Sequence, residues 1–405
     1  MNIVKELSKG PIPKELAFSE AEYAERVERV RKLMAEAGLD VLVCTSTPNK
    51  CYLTGYDTVM PSGYSTLILP LEGEPVMHLP EIDVPSALKT SWVKGFIIFD
   101  WAHAQDTGTD LARALKERGF HNKRIGLEMG HGEIWSNSAM DVRSYLRLKE
   151  LLPEAQFQDA TNLVLQVRII KSPAELDCMR KAGEITAKGY QAAISETAAG
   201  KKDNDIAKAV YAAMLGAGSE PLSIQPLIMS GHRTGWVTHL IFRRVSLKVG
   251  DSIYLEFSGV YNRYNAPQMR TIVIGEPSDL VRRLADASLT TVNLLLENIK
   301  PGCTGHEIAQ VAKKGLAPME SVAYFHGGFG YAIGLGFPPT WTEAPVYIAE
   351  GEERPLQPGM TFHLPICIQA LGQCGVSFSE SVVVTETGCD LLTQGDGREL
   401  TVVPA

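Results

Sequence analysis

The chain has no apolar run approaching the ~18 residues that a bilayer-spanning helix requires, which excludes a helical membrane span. Nor does it have a disulfide framework. Its seven cysteines are odd in number, scattered, and form no Cys-x-x-Cys pair, so reduced, mostly buried thiols of a cytosolic protein are expected. The opening residues, Met1-Asn2-Ile3-Val4-Lys5-Glu6, offer no apolar signal core, and a cytoplasmic location is the expectation. Positive charge is also short: 39 Lys and Arg stand against 47 Asp and Glu, a net charge of −8. Arg243-Arg244 and Arg282-Arg283 are isolated pairs, and no basic stretch is interleaved with aromatics. A nucleic-acid surface is therefore excluded, and the expected partner is a small molecule.

What is present is a globular composition, 45% hydrophobic and 21% charged. Its 405 residues are too many for one ordinary core. Tyr23, Val27, Val30, Leu33 and Met34 recur at helical spacing between a Ser19 cap and a Gly38 stop. Strand patterns follow at Val41–Val43, Thr66–Leu69, Val76–Leu79 and Arg124–Glu128, with helical patterns over Thr109–Arg118 and Ser138–Leu152. This alternation predicts an α/β domain over residues 1–168. The second domain, 169–405, opens at Ser172-Pro173-Ala174-Glu175, a cap, a first-turn proline and a capping box. It also echoes itself. Gly200 precedes Asp205-Ile206-Ala207 as Gly302 precedes Glu307-Ile308-Ala309, which fits an internally duplicated α+β domain.

Several motifs of this second half resemble the pita-bread superfamily of creatinase, prolidase and methionine aminopeptidase. They are Gly250–Gly259 followed by Arg270-Thr271, the glycine-rich run Gly330–Leu335, Leu356–Phe362, and Gly375–Glu380. The resemblance implies an α+β fold, a C-terminal pita-bread domain with an α/β N-terminal domain. In the metallopeptidases these motifs carry five metal ligands. Here the matching positions hold Glu256, Pro267, Tyr331, Pro365 and Ser379. Proline offers no side-chain ligand and serine a poor one, so no metal and no other cofactor are expected. The pattern Glu256-x-x-Gly259, Arg263-Tyr264-x-x-Pro267, Tyr331, Pro338-Pro339-x-Trp341 and Met360–His363 is most similar to the metal-free branch of ectoine hydrolases. Two departures stand out, the segment Met60–Ser65 and the surroundings of His239. Family resemblance further implies a homodimer.

His239 matches the superfamily's active-site histidine, and its intrinsic pKa suits a proton shuttle. Glu256 alternates with apolar Leu255 and Phe257. It is either a base for water, an anion facing a cationic substrate, or one half of an ion pair with an arginine. Tyr331 either donates to a developing oxyanion or packs. Further substrate-binding candidates are Arg263 for a carboxylate, Trp341 as an aromatic wall over a cation, and Tyr264, His363 and Tyr64. Glu380 either balances a positive charge or bridges to Arg270. His232, Arg233, Trp236 and His326 are secondary candidates. The expected enzyme is a metal-independent hydrolase cleaving a C–N bond of a small cationic or zwitterionic compound, an ectoine-like cyclic amidine first. The alternatives are an Xaa-Pro peptidase with a degenerate metal site and a non-catalytic ligand-binding homologue.

Overall fold

The structure is a computed structural model that describes residues 3–102, 106–130, 140–236, 239–393 and 398–405; Ser138, Val237 and Thr238 lie outside it. The chain divides into two compact units, Met1–Arg168 and Ile169–Ala405.

In the first unit, β1 (Val41–Cys44), β2 (Thr66–Pro70), β3 (Val76–Pro80), β4 (Gly95–Phe99), β5 (Arg124–Leu127) and β6 (Gln156–Asp159) form one sheet. Its order is β4-β3-β2-β1-β5-β6. The pairs β1–β2 and β2–β3 are antiparallel, whereas β3–β4, β1–β5 and β5–β6 are parallel. Helices Thr107–Glu117 and Val142–Leu151 supply Leu111, Leu115 and Leu148 to a core with Val41, Val43, Ile125 and Leu127. Ser19 caps helix Glu20–Glu36 by accepting the Glu22 N–H, and Gly38 turns the chain out at φ 68°. Directly after β5 Glu128 is buried and accepts bonds from the Thr45 and Ser46 N–H groups and from Asn49.

The second unit contains β7 (Leu227–Ser230), β8 (Ser252–Phe257), β9 (Val260–Tyr261), β10 (Tyr264–Asn265), β11 (Gln268–Ile274) and β12 (Gly330–Phe337). After them come β13 (Thr340–Ile348), β14 (Thr361–His363), β15 (Ile366–Ala370), β16 (Cys374–Phe378), β17 (Ser381–Val384), β18 (Cys389–Leu391) and β19 (Thr401–Val403). Among the described residues these make a sheet β19-β11-β8-β7, a larger sheet β18-β17-β14-β12-β10-β9 with β13 on β12, and the pair β15–β16.

A pair of helices backs each main sheet. Pro173–Glu196 and Asp203–Gly216 pack Ile185, Ala193, Ile206 and Val210 on Ile228, Ile253, Leu255 and Phe257. Asp279–Asn298 and Gly305–Leu316 pack Leu284, Leu295, Ile308 and Ala312 on Ala332, Phe362, Val376 and Val382. The echo in sequence is thus a repeat of long helix, tight turn at positive-φ Gly200 or Gly302, and short capped helix. The capping box predicted at Ser172–Glu175 forms with both of its bonds. Close approach of the first long helix to β8 requires Gly259, because a Cβ there would lie 2.6 Å from Ile185 Cβ and 2.7 Å from the Ala182 carbonyl oxygen. That contact holds the strand carrying Glu256 in place.

The β19-β11-β8-β7 sheet meets the pair β15–β16 where β11 runs beside β16. Met269 N–H donates to Ser379 Oγ at 2.7 Å, and Ser379 N–H returns a bond to the Met269 carbonyl at 3.2 Å. Thr271 Oγ1 both donates to the Ser377 carbonyl and accepts the Ser377 N–H. Arg270 completes the seam, reaching the carbonyls of Met269 and Ser379 and, at 2.6 Å, Glu380 Oε1.

Candidate active site

Glu256 is the last residue but one of β8, paired with Met269 on one side and Leu227 on the other. Strand alternation turns Ile253, Leu255 and Phe257 to the helices, leaving Tyr254 and Glu256 on the opposite face. There Leu227, Met229, Tyr254, Met269 and Cys367 cluster under Leu240 and Ile241. Glu256 is only 4% exposed. Among the described residues its one hydrogen bond comes from the Tyr254 hydroxyl, 3.2 Å from Oε2, and no cation pairs with it. The Tyr254 oxygen also lies 3.4 Å from Cys367 Sγ, whose thiol is 3.3 Å from Met269 Sδ. Burial in this soft surrounding raises the carboxyl pKa from 4.5 to about 8, against a smaller lowering by Tyr254. Of the roles open to Glu256, the ion pair with an arginine is not the one formed.

Tyr331 on β12 pairs with His363 on β14. Its hydroxyl accepts the Trp341 Nε1–H at 2.9 Å and lies 2.8 Å from His363 Nδ1. His363 Nε2 lies 2.6 Å from Ser379 Oγ, the same oxygen that accepts the Met269 N–H. Burial pushes the His363 pKa down to about 3, so the imidazole is neutral. Burial, and then the charge of Glu256, hold the Tyr331 phenol well above its usual range. The structure therefore places Glu256, Tyr331 and Ser379 around one locus, with His363 bridging the latter two.

His239 stands on the loop that follows Trp236, beside Leu240 and Ile241, which roof the Glu256 cluster. It is exposed, yet surrounding protein lowers its pKa, as it does that of exposed His326, which the His239 charge lowers further. The loop is tied at its base. Buried Asp203 accepts the Arg243 and Val245 N–H groups and pairs with Arg233, which donates to the Ile241 carbonyl at 2.7 Å. Trp236 is 61% exposed and His232 is exposed.

Several other candidates make contacts with the scaffold. Glu380 is fully buried and committed to Arg270, Gln268 and Thr393, so it is a seam residue and not a counter-charge for substrate. Tyr264 is buried with its hydroxyl on Glu175 Oε1 at 2.8 Å, which ties β10 to the capping box of the first long helix. Arg263 places its guanidinium over the Phe337 ring at 4.7 Å, and its carbonyl accepts the Gly336 N–H. Gly336 is roughly 16 Å along β12 from Tyr331 at the rise of an extended strand, so Arg263 does not join the site. Trp341 and His363 are inside the site but behind Tyr331; at 1% and 0% exposure they form no wall against a ligand. Tyr64 belongs to the first unit, where its hydroxyl is 2.8 Å from His78 Nδ1 and its ring meets Phe99. Three residues around Glu256 were missed by the sequence reading: Tyr254, Met269 and Cys367. Tyr254 was within reach, since it shares a strand face with Glu256 at a spacing of two.

Residues 177–386 match metallopeptidase family M24, and residues 26–170 match the creatinase/prolidase N-terminal domain. The chain belongs to family M24. Like its relatives it is a hydrolase. It is 31% identical to the ectoine hydrolase of Halomonas elongata over 93% of this chain and 96% of that one. It is 28% identical to an Xaa-Pro dipeptidase of Pyrococcus furiosus, over 93% and 99% respectively. The crystal structure of dipeptidase PepE from Mycobacterium ulcerans superposes with a TM-score of 0.80 at 27% identity, covering 96% of this chain and 100% of that one.

The family name implies a metal, and the donor set here does not fit one. Of the five positions that match the ligands, two are prolines, and Tyr331 and Ser379 are already hydrogen-bonded to His363. Among the described residues no group of three or more His, Cys, Asp or Glu side chains is gathered so as to hold a metal ion.

Proposed function

We propose that this M24 member is a metal-independent hydrolase that opens a C–N bond of a small cationic or zwitterionic compound, a cyclic amidine of the ectoine type. The observation that carries the reading is Glu256, a buried carboxylate facing a hydrolase site with no cationic partner among the described residues. A ligand amidinium supplies that partner. At ~4 Å, with an effective dielectric near 20, the attraction is on the order of 4 kcal/mol, or about three pKa units. Substrate binding thus converts a protonated Glu256 into a carboxylate.

The ionised Glu256 then accepts a proton from water as its oxygen adds to the amidinium carbon. Tyr331 donates to the oxygen that becomes the amide carbonyl. His239 relays the proton that Glu256 has taken from water to the departing ring nitrogen, so that amidinium and water yield one amide and one ammonium. The 31% identity to an ectoine hydrolase supports the same substrate class.

The test is hydrolysis of a panel of cyclic amidines, guanidines, lactams and proline dipeptides by chelator-dialysed protein, with and without added Mn, Co or Zn. Ring opening that is indifferent to chelator and falls by a factor of ~10³ in Glu256→Gln supports the reading. Xaa-Pro cleavage that appears only on adding metal overturns it.

A further inference from the structure

The hydroxyls of Tyr331 and Ser379 compete for one imidazole. Tyr331 Oη is 2.8 Å from His363 Nδ1, and Ser379 Oγ is 2.6 Å from Nε2. Trp341 Nε1–H and Met269 N–H are donors only, so both hydroxyl oxygens already accept one bond. A neutral imidazole has a single proton, and two orderings of the chain follow. In the first, Tyr331 donates to Nδ1 and Nε2–H donates to Ser379. In the second, Ser379 donates to Nε2 and Nδ1–H donates to Tyr331.

The orderings differ in which hydroxyl proton is left over. Among the described residues Ser379 has no acceptor other than Nε2, and Tyr331 none other than Nδ1. Ser379 is 0% exposed, so in the first ordering its proton is stranded in the interior, and a buried donor without a partner loses its full hydration. Tyr331 keeps some exposed surface where Ser379 has none, so the second ordering leaves over the proton better placed to meet water or a ligand.

We propose that Ser379 and His363 form a directional hydrogen-bond strut, Ser379 O–H to Nε2 and Nδ1–H to Tyr331, that holds Tyr331 as an outward donor to the oxygen of the substrate. Trp341 completes the device. With two donors on its oxygen, the Tyr331 phenol can turn its own proton only away from both of them, and each accepted bond strengthens the one it gives. Ser379, His363 and Trp341 are positioning residues that touch Tyr331 or one another, not the ligand. Two positions that match family metal ligands, Tyr331 and Ser379, are thereby coupled through an imidazole that holds one phenol proton in a fixed direction. The reading of Tyr331 as a donor in amidine hydrolysis underlies the functional half of this proposal; the proton order itself does not depend on it.

Neutron diffraction from crystals of the unmutated, perdeuterated full chain decides the order. Deuterium on Nδ1 of His363 and on Ser379 Oγ pointing to Nε2 is the expected result. Deuterium on Nε2, or on both nitrogens, overturns the strut whether or not any amidine is a substrate. For the functional half, Ser379→Ala is compared with Ser379→Thr, which keeps the hydroxyl. On whichever cyclic amidine is turned over, Ser379→Ala is expected to lower kcat at least tenfold with KM within twofold, and Ser379→Thr to restore most of it. Equal kcat in Ser379→Ala and the unmutated enzyme overturns the functional half. A panel without any amidine turnover overturns the substrate reading and with it that half, while the deuterium positions still decide the strut.

Discussion

Replacing Glu256 by Gln isolates the protonation state of the buried carboxyl. In the folded chain this group titrates at about 8, against its ordinary 4.5. The native state therefore keeps a proton that the unfolded chain releases at a lower pH. Its contribution to stability is fully present below about 4.5 and is lost as pH rises through about 8. The loss amounts to about 1.4 kcal/mol per pH unit across that window, or on the order of 5 kcal/mol by pH 8. Gln has nearly the same shape, keeps a carbonyl oxygen for the Tyr254 hydroxyl, and does not titrate. Urea unfolding of both full-length proteins, followed by tryptophan fluorescence from pH 5 to pH 8, is expected to show the Gln variant overtaking the unmutated protein. The gap should widen by about 1.4 kcal/mol per unit, and a saturating cationic ligand should narrow it by supplying the missing counter-charge. Parallel stability curves at all pH values would mean that Glu256 is ionised in the resting protein, and the account of its site would fall.

Arg270→Met leaves Glu380 buried without its cation and is expected to destabilise the second unit by about 3–5 kcal/mol; the double variant Arg270→Met/Glu380→Leu should recover much of that in the same unfolding assay. Gly259→Ala forces a Cβ against Ile185 and the Ala182 carbonyl, and should cost about 1–3 kcal/mol, read as a lower midpoint at unchanged m-value. His239→Ala is expected to lower kcat for the amidine by ~10²–10⁴, with partial recovery by added imidazole; unchanged turnover would remove His239 from the mechanism.

Much of the fold could be read wherever one local rule acts alone. Ser19 and Ser172 cap helices as their spacing predicts, and the strands at Val41, Thr66, Val76 and Arg124 follow their apolar runs. The strands Gly95–Phe99 and Gln156–Asp159 and the helix Thr47–Thr54 went unread. They are short, and tertiary packing carries them more than pattern does. Of the site, Glu256 announced itself as a carboxylate inside an apolar strand. The partner of a charged residue is harder to read. Glu380 and Glu256 look alike in sequence, but Arg270, 110 residues before the first and across a seam from it, pairs with Glu380 and leaves Glu256 alone. Tyr264 misled in the same way, since nothing near it in sequence points to Glu175.

The bridge that His363 makes between Tyr331 and Ser379 also bears on evolutionary reversal. Tyr331→His alone would strip Trp341 of the acceptor for its indole proton and break the contact with Nδ1. Ser379→Glu alone would displace the oxygen that accepts the Met269 N–H and bring a third carboxylate to the neighbourhood of Glu256 and Glu380. Pro365→Glu alone would add a charge with no metal yet able to bind it. Each step by itself leaves an interior polar group unmet, at about 1–3 kcal/mol, with no catalytic return until all are in place. Single substitutions at Tyr331, Ser379 or Pro365 toward the metallopeptidase donor set are thus each opposed by the hydrogen bonds this centre already makes.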